Sequence, residues 1–151
     1  MPEMPRKAPI ATPSPAIPLQ RTPDQITVLV VDDDKSVRDL IAVILECEGY
    51  QVLTAASGAE AIRKAAELHP DLVTLDVMMP DMDGWEVGRQ LAENPETASI
   101  RRLVVSAKPM AELEASAGRM FAHAVLTKPF DFAAFVGAIE SVMNPRHEPA
   151  H

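Results

Sequence analysis

Short apolar runs alternate with longer amphipathic segments along most of this chain. Five of the runs are rich in Val, Leu and Ala, and their apolar residues are largely continuous rather than alternating with polar ones. Such runs are typical of strands that are buried on both faces of a parallel sheet. The predicted strands span residues 26–31, 50–55, 71–76, 103–106 and 124–127.

Between these strands, apolar residues recur at helical spacing. The first helix is predicted from about Asp34 to Cys47 and ends at Gly49. The second begins at a capping box formed by Ser57 and Glu60 and is closed by Pro70.

Three further helices are predicted in the second half of the chain. One begins at Gly84 and ends near residue 94, and an alanine-rich helix follows from about Met110 to Arg119. In the last helix, five apolar residues are expected to pack against the sheet: Phe132, Phe135, Val136, Ile139 and Val142. Five strands alternating with five helices predict an α/β fold, a doubly wound five-stranded parallel sheet with helices on both faces.

Both ends of the chain differ in composition from this alternating region. Residues 1–24 hold seven of the fourteen prolines, so this segment is predicted to be a disordered, extended arm. The single ordered domain is predicted to span residues 25–144, and residues 145–151 form a short C-terminal tail. A chain of 151 residues has room for one ordinary domain and little more.

Charge and composition narrow the classes of partner. The net charge of −8 argues against direct binding to nucleic acid, because neutralising phosphates requires a basic surface. No apolar stretch approaches the length of a membrane span, and no signal peptide is predicted, so a cytoplasmic location is expected. Cys47, the one cysteine, is expected to be a partly buried structural side chain.

Charged side chains come directly after three of the predicted strands. Asp32 and Asp33 follow the first strand, Asp76 ends the third, and Lys128 follows the fifth. Because the carboxyl ends of parallel strands meet at one edge of the sheet, these side chains are expected to lie close together. Crowded carboxylates repel one another unless a cation lies between them, and Mg²⁺ prefers such oxygen ligands. A neighbouring lysine would neutralise an added anion, for which phosphate is the obvious candidate.

With these motifs in the same order and at the same spacing, residues 26–143 resemble the receiver domain of bacterial two-component response regulators. The resemblance rests on three segments, Val-Leu-Val-Val-Asp-Asp-Asp from Val28, Val-Thr-Leu-Asp from Val73 with the Met-Pro-x-x-x-Gly turn after it, and Val-Leu-Thr-Lys-Pro-Phe from Val125. It implies a single chemotaxis-regulator-like domain with a flavodoxin-like sheet in strand order 2-1-3-4-5.

The resemblance also implies a magnesium site. Asp76 matches the phosphoryl-accepting aspartate, and Asp33 matches a direct metal ligand, whereas Asp32 is expected to act mainly through water. Another metal oxygen is expected from the backbone carbonyl of Met78, two residues after the acceptor. The implied metal residues are therefore Asp32, Asp33, Asp76 and Met78, with Mg²⁺ as the only implied cofactor.

Two further residues match positions that contact the phosphoryl group in this family. Lys128 resembles the lysine that neutralises it, and Ser106, at the end of the fourth strand, matches a Ser or Thr whose hydroxyl binds a phosphoryl oxygen. With Asp76, they form the expected catalytic set. Proline lowers the cost of a cis peptide bond, and the family geometry implies that Lys128–Pro129 is cis.

The function implied by the resemblance is that of a phosphoacceptor in a two-component phosphorelay. The phosphoryl group would come from the phosphohistidine of a sensor histidine kinase or a phosphotransfer protein, and the output would go to an unidentified downstream protein. The signalling face would be made by predicted helix 4, strand 5 and helix 5, which could also form a homodimer. No membrane partner is expected, and the only reactions catalysed would be the domain's own phosphorylation and dephosphorylation.

One position departs from the family pattern. Three residues before Lys128 the family usually has a Tyr or Phe ring that moves on activation, and here the residue is Val125. The stiff, β-branched valine cannot replace this movement. Output is therefore expected to depend on Ser106 and the following Lys108–Pro109 loop.

Two alternatives remain open at this point. Asp32-x-Asp34-x-Ser36 after an apolar run nearly matches the nucleophile motif of a magnesium-dependent phosphatase of the haloacid dehalogenase type. That interpretation leaves the Asp76 loop unexplained and expects a later acidic pair, which does not follow Lys128. The second alternative is a non-phosphorylated interaction module with the same fold, which loss of the acidic residues would favour.

Overall fold

A computed structural model describes residues 21–107 and 122–144 of the chain. All strand pairs are parallel, and the five-stranded sheet has the order β2-β1-β3-β4-β5, as the resemblance implied. The strands are β1 (Thr27–Val31), β2 (Gln51–Ala55), β3 (Leu72–Asp76), β4 (Arg101–Ser106) and β5 (Ala124–Thr127). Each of the five predicted strands is therefore present.

Four α-helices and one short 3-10 helix are found among the described residues. They are the 3-10 helix Pro23–Gln25, α1 (Lys35–Cys47), α2 (Gly58–Leu68), α3 (Gly84–Glu93) and the C-terminal helix (Phe132–Met143). The helix predicted for residues 110–119 lies outside the described residues, as do residues 1–20 and the tail 145–151. Among the described helices, none combines the length and the apolar character needed to cross a bilayer.

Side-chain caps fix where the helices begin. Asp34, Ser57, Asp83 and Asp131 each accept a backbone N–H from the first turn of the helix that follows. Such a cap stabilises a helix by about 1 kcal/mol. The predicted box at α2 is only half formed, because Glu60 accepts the N–H of Ala56 rather than that of Ser57.

The sheet separates two apolar layers. Val28 and Val30 of β1 contribute to the layer under α1 and the C-terminal helix, whereas Leu29 and Val31 contribute to the layer under α2 and α3. Because β1 is buried on both faces, its sequence is continuously apolar.

Three details differ from the sequence prediction. Phe132 is 48% exposed, because it begins the C-terminal helix on the solvent side, and Phe135, nearly one turn later, faces the sheet instead. Cys47 is exposed at the end of α1, so its predicted partial burial is wrong. Strand β4 begins two residues earlier than predicted, because Arg101 and Arg102 pair in register with β3. The buried Arg102 guanidinium donates to the carbonyls of Ala98 and Ile100.

A clasp of three polar residues joins the two ends of the described domain. The backbone N–H of Arg21 donates to Oδ1 of Asn144 at 3.0 Å, and the Arg21 guanidinium forms an ion pair with Asp71. Asp71 also accepts the N–H of Thr27, the first residue of β1, at 2.8 Å. The described end of the predicted arm is thus tied to the amino-terminal edge of the sheet.

Candidate functional site

Three carboxylates meet at the carboxyl edge of neighbouring strands β1 and β3. Val31 pairs with Leu75, so Asp32 and Asp33, just after β1, lie beside Asp76 at the end of β3. One carboxylate oxygen from each of the three lies within 4.8 Å of the others. Asp32 and Asp76 are buried and Asp33 is exposed, which leaves the cluster open to solvent on one side.

Burial dominates the electrostatics of this cluster. It raises the pKa of both Asp32 and Asp76 above the ordinary value of 3.8, and repulsion from neighbouring carboxylates raises them further. Backbone N–H groups act in the opposite direction, since Asp34 donates to Asp32 at 2.9 Å and Met78 donates to Asp76 at 3.2 Å. The cluster therefore holds negative charge that a cation would stabilise.

Lys128, predicted to lie at this edge of the sheet, is found beside Asp76. Its Nζ lies 3.9 Å from Oδ1 of Asp76, and its charge lowers the pKa of both Asp76 and Asp32. The peptide bond between Lys128 and Pro129 is cis, as predicted.

The other two predicted site residues lie at the same edge. Ser106 ends β4 and pairs in register with Thr127, the residue before Lys128, whereas its side chain is outside the described part of the structure. Met78 is the second residue of the loop 77–83, which follows β3, and it is 60% exposed.

Close packing fixes the backbone around Asp76. A Cβ added to Gly84 would lie 2.6 Å from the carbonyl oxygen of Asp76, so only glycine fits there without a shift of the backbone. The N–H of Gly84 donates to the carbonyl of Val77 at 3.1 Å and closes the loop onto the end of β3.

Two residues near the cluster were not predicted as part of a site. The guanidinium of Arg38, in the first turn of α1, donates to the backbone carbonyl of Asp32 at 2.8 Å. Asp81, in the loop that follows β3, accepts backbone N–H groups from the start of α2. Neither contact has a local sequence signal, because each depends on how separate elements pack.

The donor set fits a hard divalent cation. Three carboxylate oxygens converge within 4.8 Å, two of the acids are buried, and Lys128 forms an ion pair with one of them, Asp76. Oxygen atoms in such an arrangement suit Mg²⁺, which binds through one or two carboxylates and keeps several of its waters.

Two other residues discussed in the sequence analysis, Asp34 and Val125, contribute to helix capping and core packing. Asp34 uses its carboxylate to cap α1 through the N–H groups of Ser36 and Val37, which is a structural role for the second Asp of the phosphatase-like motif. Val125 lies in β5, partly buried against the layer under α2 and α3. The Lys108–Pro109 loop, in the expected output route, lies outside the described residues.

Comparisons with known proteins agree with this architecture. The family model described as the response regulator receiver domain matches residues 28–140. The chain is 32% identical over 116 residues to protein PilH of Pseudomonas aeruginosa, covering 77% of this chain and 96% of PilH. It is 33% identical to the transcriptional regulator RpaA of Synechocystis, covering 77% of this chain and 48% of RpaA. The chain thus spans about half the length of some curated relatives.

A solved structure gives the same result for the fold. The response regulator protein TrrA from Thermotoga maritima, in complex with Mg²⁺ and beryllofluoride, matches with a TM-score of 0.71 and 27% identity. The match covers 78% of this chain and 98% of that one.

Proposed function

Since this chain belongs to the response regulator receiver domain family, we propose that it accepts a phosphoryl group on Asp76 from the phosphohistidine of a signalling partner. The observation that carries the proposal is the convergence of Asp76 with Asp32, Asp33 and Lys128 at one sheet edge. Several relatives are named as response regulators or transcriptional regulators, and TrrA was solved with Mg²⁺ and a beryllofluoride group.

In the proposed reaction, a carboxylate oxygen of Asp76 attacks phosphorus while the bond between phosphorus and the histidine nitrogen breaks. The product is an acyl phosphate on Asp76 and a free imidazole on the partner. Such a transfer has a loose transition state, so positioning and charge neutralisation supply most of the catalysis.

Each site residue has a distinct proposed role. The Lys128 ammonium, already 3.9 Å from Asp76, would pair with an oxygen of the incoming phosphoryl group, and the Ser106 hydroxyl would bind another. Asp33, Asp76 and the Met78 carbonyl would hold Mg²⁺ directly, with Asp32 acting through water. The ion would supply charge neutralisation to the acceptor and the phosphoryl oxygens.

The proposal extends to partners and organisation. Receiver domains of response regulators interact with histidine kinases or phosphotransfer proteins, and we propose one of these as the phosphoryl donor. The downstream protein and a homodimer through predicted helix 4, strand 5 and helix 5 remain predictions. So do a cytoplasmic location and the division into residues 1–24, 25–144 and 145–151. The chain is proposed as a signalling domain that catalyses only its own phosphorylation and dephosphorylation.

The alternative functions are less favoured. A haloacid dehalogenase-type phosphatase needs the carboxylate of Asp34 for chemistry, but that carboxylate caps α1. A non-phosphorylated module would not require the full acidic cluster, and Asp32, Asp33 and Asp76 all take part in it.

Intact-mass spectrometry tests the proposal directly. The chain is incubated with acetyl phosphate and Mg²⁺, and a mass gain of one phosphoryl group is expected, with loss of the gain when Mg²⁺ is chelated. Asp76→Asn keeps the size of the side chain and should abolish labelling. Equal labelling of this variant would contradict the assignment of Asp76.

A further inference from the structure

Asp81 links the loop that follows the acceptor to a different helix. Its Oδ1 accepts the N–H of Gly58 at 3.1 Å, and its Oδ2 accepts the N–H of Ala59 at 3.2 Å. Gly58 and Ala59 are the first two residues of α2, so the carboxylate of a loop residue 22–23 positions later in the chain caps this helix.

The beginning of α2 therefore has two independent caps. Asp81 serves the first two N–H groups, and Ser57 serves the third, that of Glu60, at 3.1 Å. Ser57 is the helix's own N-cap and makes no contact of this kind with the loop 77–83. The two caps stabilise the same helix end, but only that of Asp81 holds the loop.

Packing reinforces the attachment of the loop to α2. A Cβ added to Gly58 would lie 2.9 Å from the Cβ of Met82, so the loop lies directly against the start of the helix. At its other end, Gly84 lies against the carbonyl of Asp76. The loop that carries Met78 is thus held between Asp76 and α2.

We propose that Asp81 is a positioning residue for the phosphorylation site, which fixes the loop 77–83 on α2 and so places the Met78 backbone for metal binding. The inference rests on the proposed function, in which Met78 contributes a metal oxygen. Hydrogen bonds from Gly58 and Ala59 also lower the pKa of Asp81, which keeps the carboxylate charged and able to accept both N–H groups.

The matched variants are Asp81→Ala, which removes the link, and Ser57→Ala, which removes the other cap of the same helix. Asp81→Asn is an intermediate case, because the asparagine side chain has one carbonyl oxygen where Asp81 uses two oxygens to accept the N–H groups of Gly58 and Ala59. All three are compared with the wild-type chain by calorimetric titration with Mg²⁺ and by labelling with acetyl phosphate.

Asp81→Ala is expected to raise the Mg²⁺ dissociation constant about tenfold, the lower range for losing a residue that orients a metal ligand. Its labelling rate should return to the wild-type value when Mg²⁺ is saturating. Ser57→Ala should leave the dissociation constant unchanged, and Asp81→Asn should lie between. In metal-free protein, amide exchange at Met78 and Gly84 should increase in Asp81→Ala and not in Ser57→Ala.

Equal effects of Asp81→Ala and Ser57→Ala on Mg²⁺ affinity would overturn the proposal, because they would reflect only the stability of α2. An unchanged affinity in Asp81→Ala would overturn it as well. A wild-type chain that binds Mg²⁺ but is not labelled refutes the proposed function, while the comparison of the two variants still decides the role of Asp81. A wild-type chain that binds no Mg²⁺ would refute both.

Discussion

The Nζ of Lys128 lies 3.9 Å from Oδ1 of Asp76 and so joins the end of β5 to the end of β3 across the intervening strand β4. The separation leaves room for the ammonium to pair with an added phosphoryl oxygen rather than with the carboxylate alone. Lys128 therefore combines two roles, since it lowers the pKa of the unmodified Asp76 and would neutralise its phosphorylated form.

Lys128→Met is expected to slow labelling of Asp76 by acetyl phosphate about a hundredfold, the range for loss of one charge-stabilising donor. The apolar stem is kept and only the ammonium is lost. Lys35→Met is the control, because the Lys35 ammonium pairs with Asp39 on the exposed surface of α1. Labelling rates are measured by intact mass at saturating Mg²⁺. Equal rates for the two variants would contradict the role of Lys128.

Asp32→Asn is expected to stabilise the metal-free domain at neutral pH. The pKa of Asp32 is raised in the fold, so between 3.8 and that raised value the native state binds more protons than the unfolded state. Stability therefore falls as pH rises through this window in the wild type, whereas Asn does not titrate and keeps the acceptor for the N–H of Asp34.

Urea unfolding across the acid-to-neutral range checks this prediction. The difference in unfolding free energy between Asp32→Asn and wild type should grow with pH and shrink when Mg²⁺ is added to the wild type. A difference that is independent of pH would show that packing rather than charge is responsible.

The imidazole of His123 is expected to make the domain more stable as pH rises, which is opposite to the effect of Asp32. Its Nδ1 accepts the backbone N–H of Arg102 at 3.0 Å, which requires a neutral imidazole at that nitrogen. Burial and the charges of Arg102 and Arg101 lower the pKa of His123 below 6.5. Its contribution to stability is fully present above pH 6.5 and is lost as the pH falls from 6.5 through the lowered pKa of the folded state.

The free energy of unfolding is compared between wild type and His123→Gln, in which the side chain at position 123 does not titrate. The wild type should lose more unfolding free energy than the variant on going from neutral to mildly acidic buffer. Parallel losses in both would assign the effect to other groups.

Gly84→Ala and Gly137→Ala should have opposite effects on stability. The added methyl at Gly84 meets the carbonyl of Asp76 at 2.6 Å and should cost about 1–3 kcal/mol by overpacking, with slower labelling. At Gly137, in the C-terminal helix, nothing lies within 4 Å, so Ala should stabilise by about 0.5–1 kcal/mol through helix propensity. Thermal unfolding measures both changes, and a stabilised Gly84→Ala would refute the close packing.

The sequence predicted the features that depend on local pattern. Continuous apolar runs identify the strands, because a strand buried on both faces needs no polar alternation. Acids at the carboxyl ends of the parallel strands β1 and β3 must then share an edge. The contacts of Asp81 and Arg38 could not be predicted in this way, since each joins elements through packing rather than through spacing. For the same reason, Phe132 matched the helical period but lies on the solvent side of its helix.

The clasp of Arg21, Asn144 and Asp71 has a consequence for how this domain can be combined with other segments. The chain enters β1 and leaves the C-terminal helix at one corner, at the amino-terminal edge of the sheet. The acidic cluster lies at the opposite edge, about 16 Å away for a five-residue strand. Polypeptide attached at either end therefore starts from a shared corner, about one strand length from the edge at which a phosphoryl donor would approach Asp76.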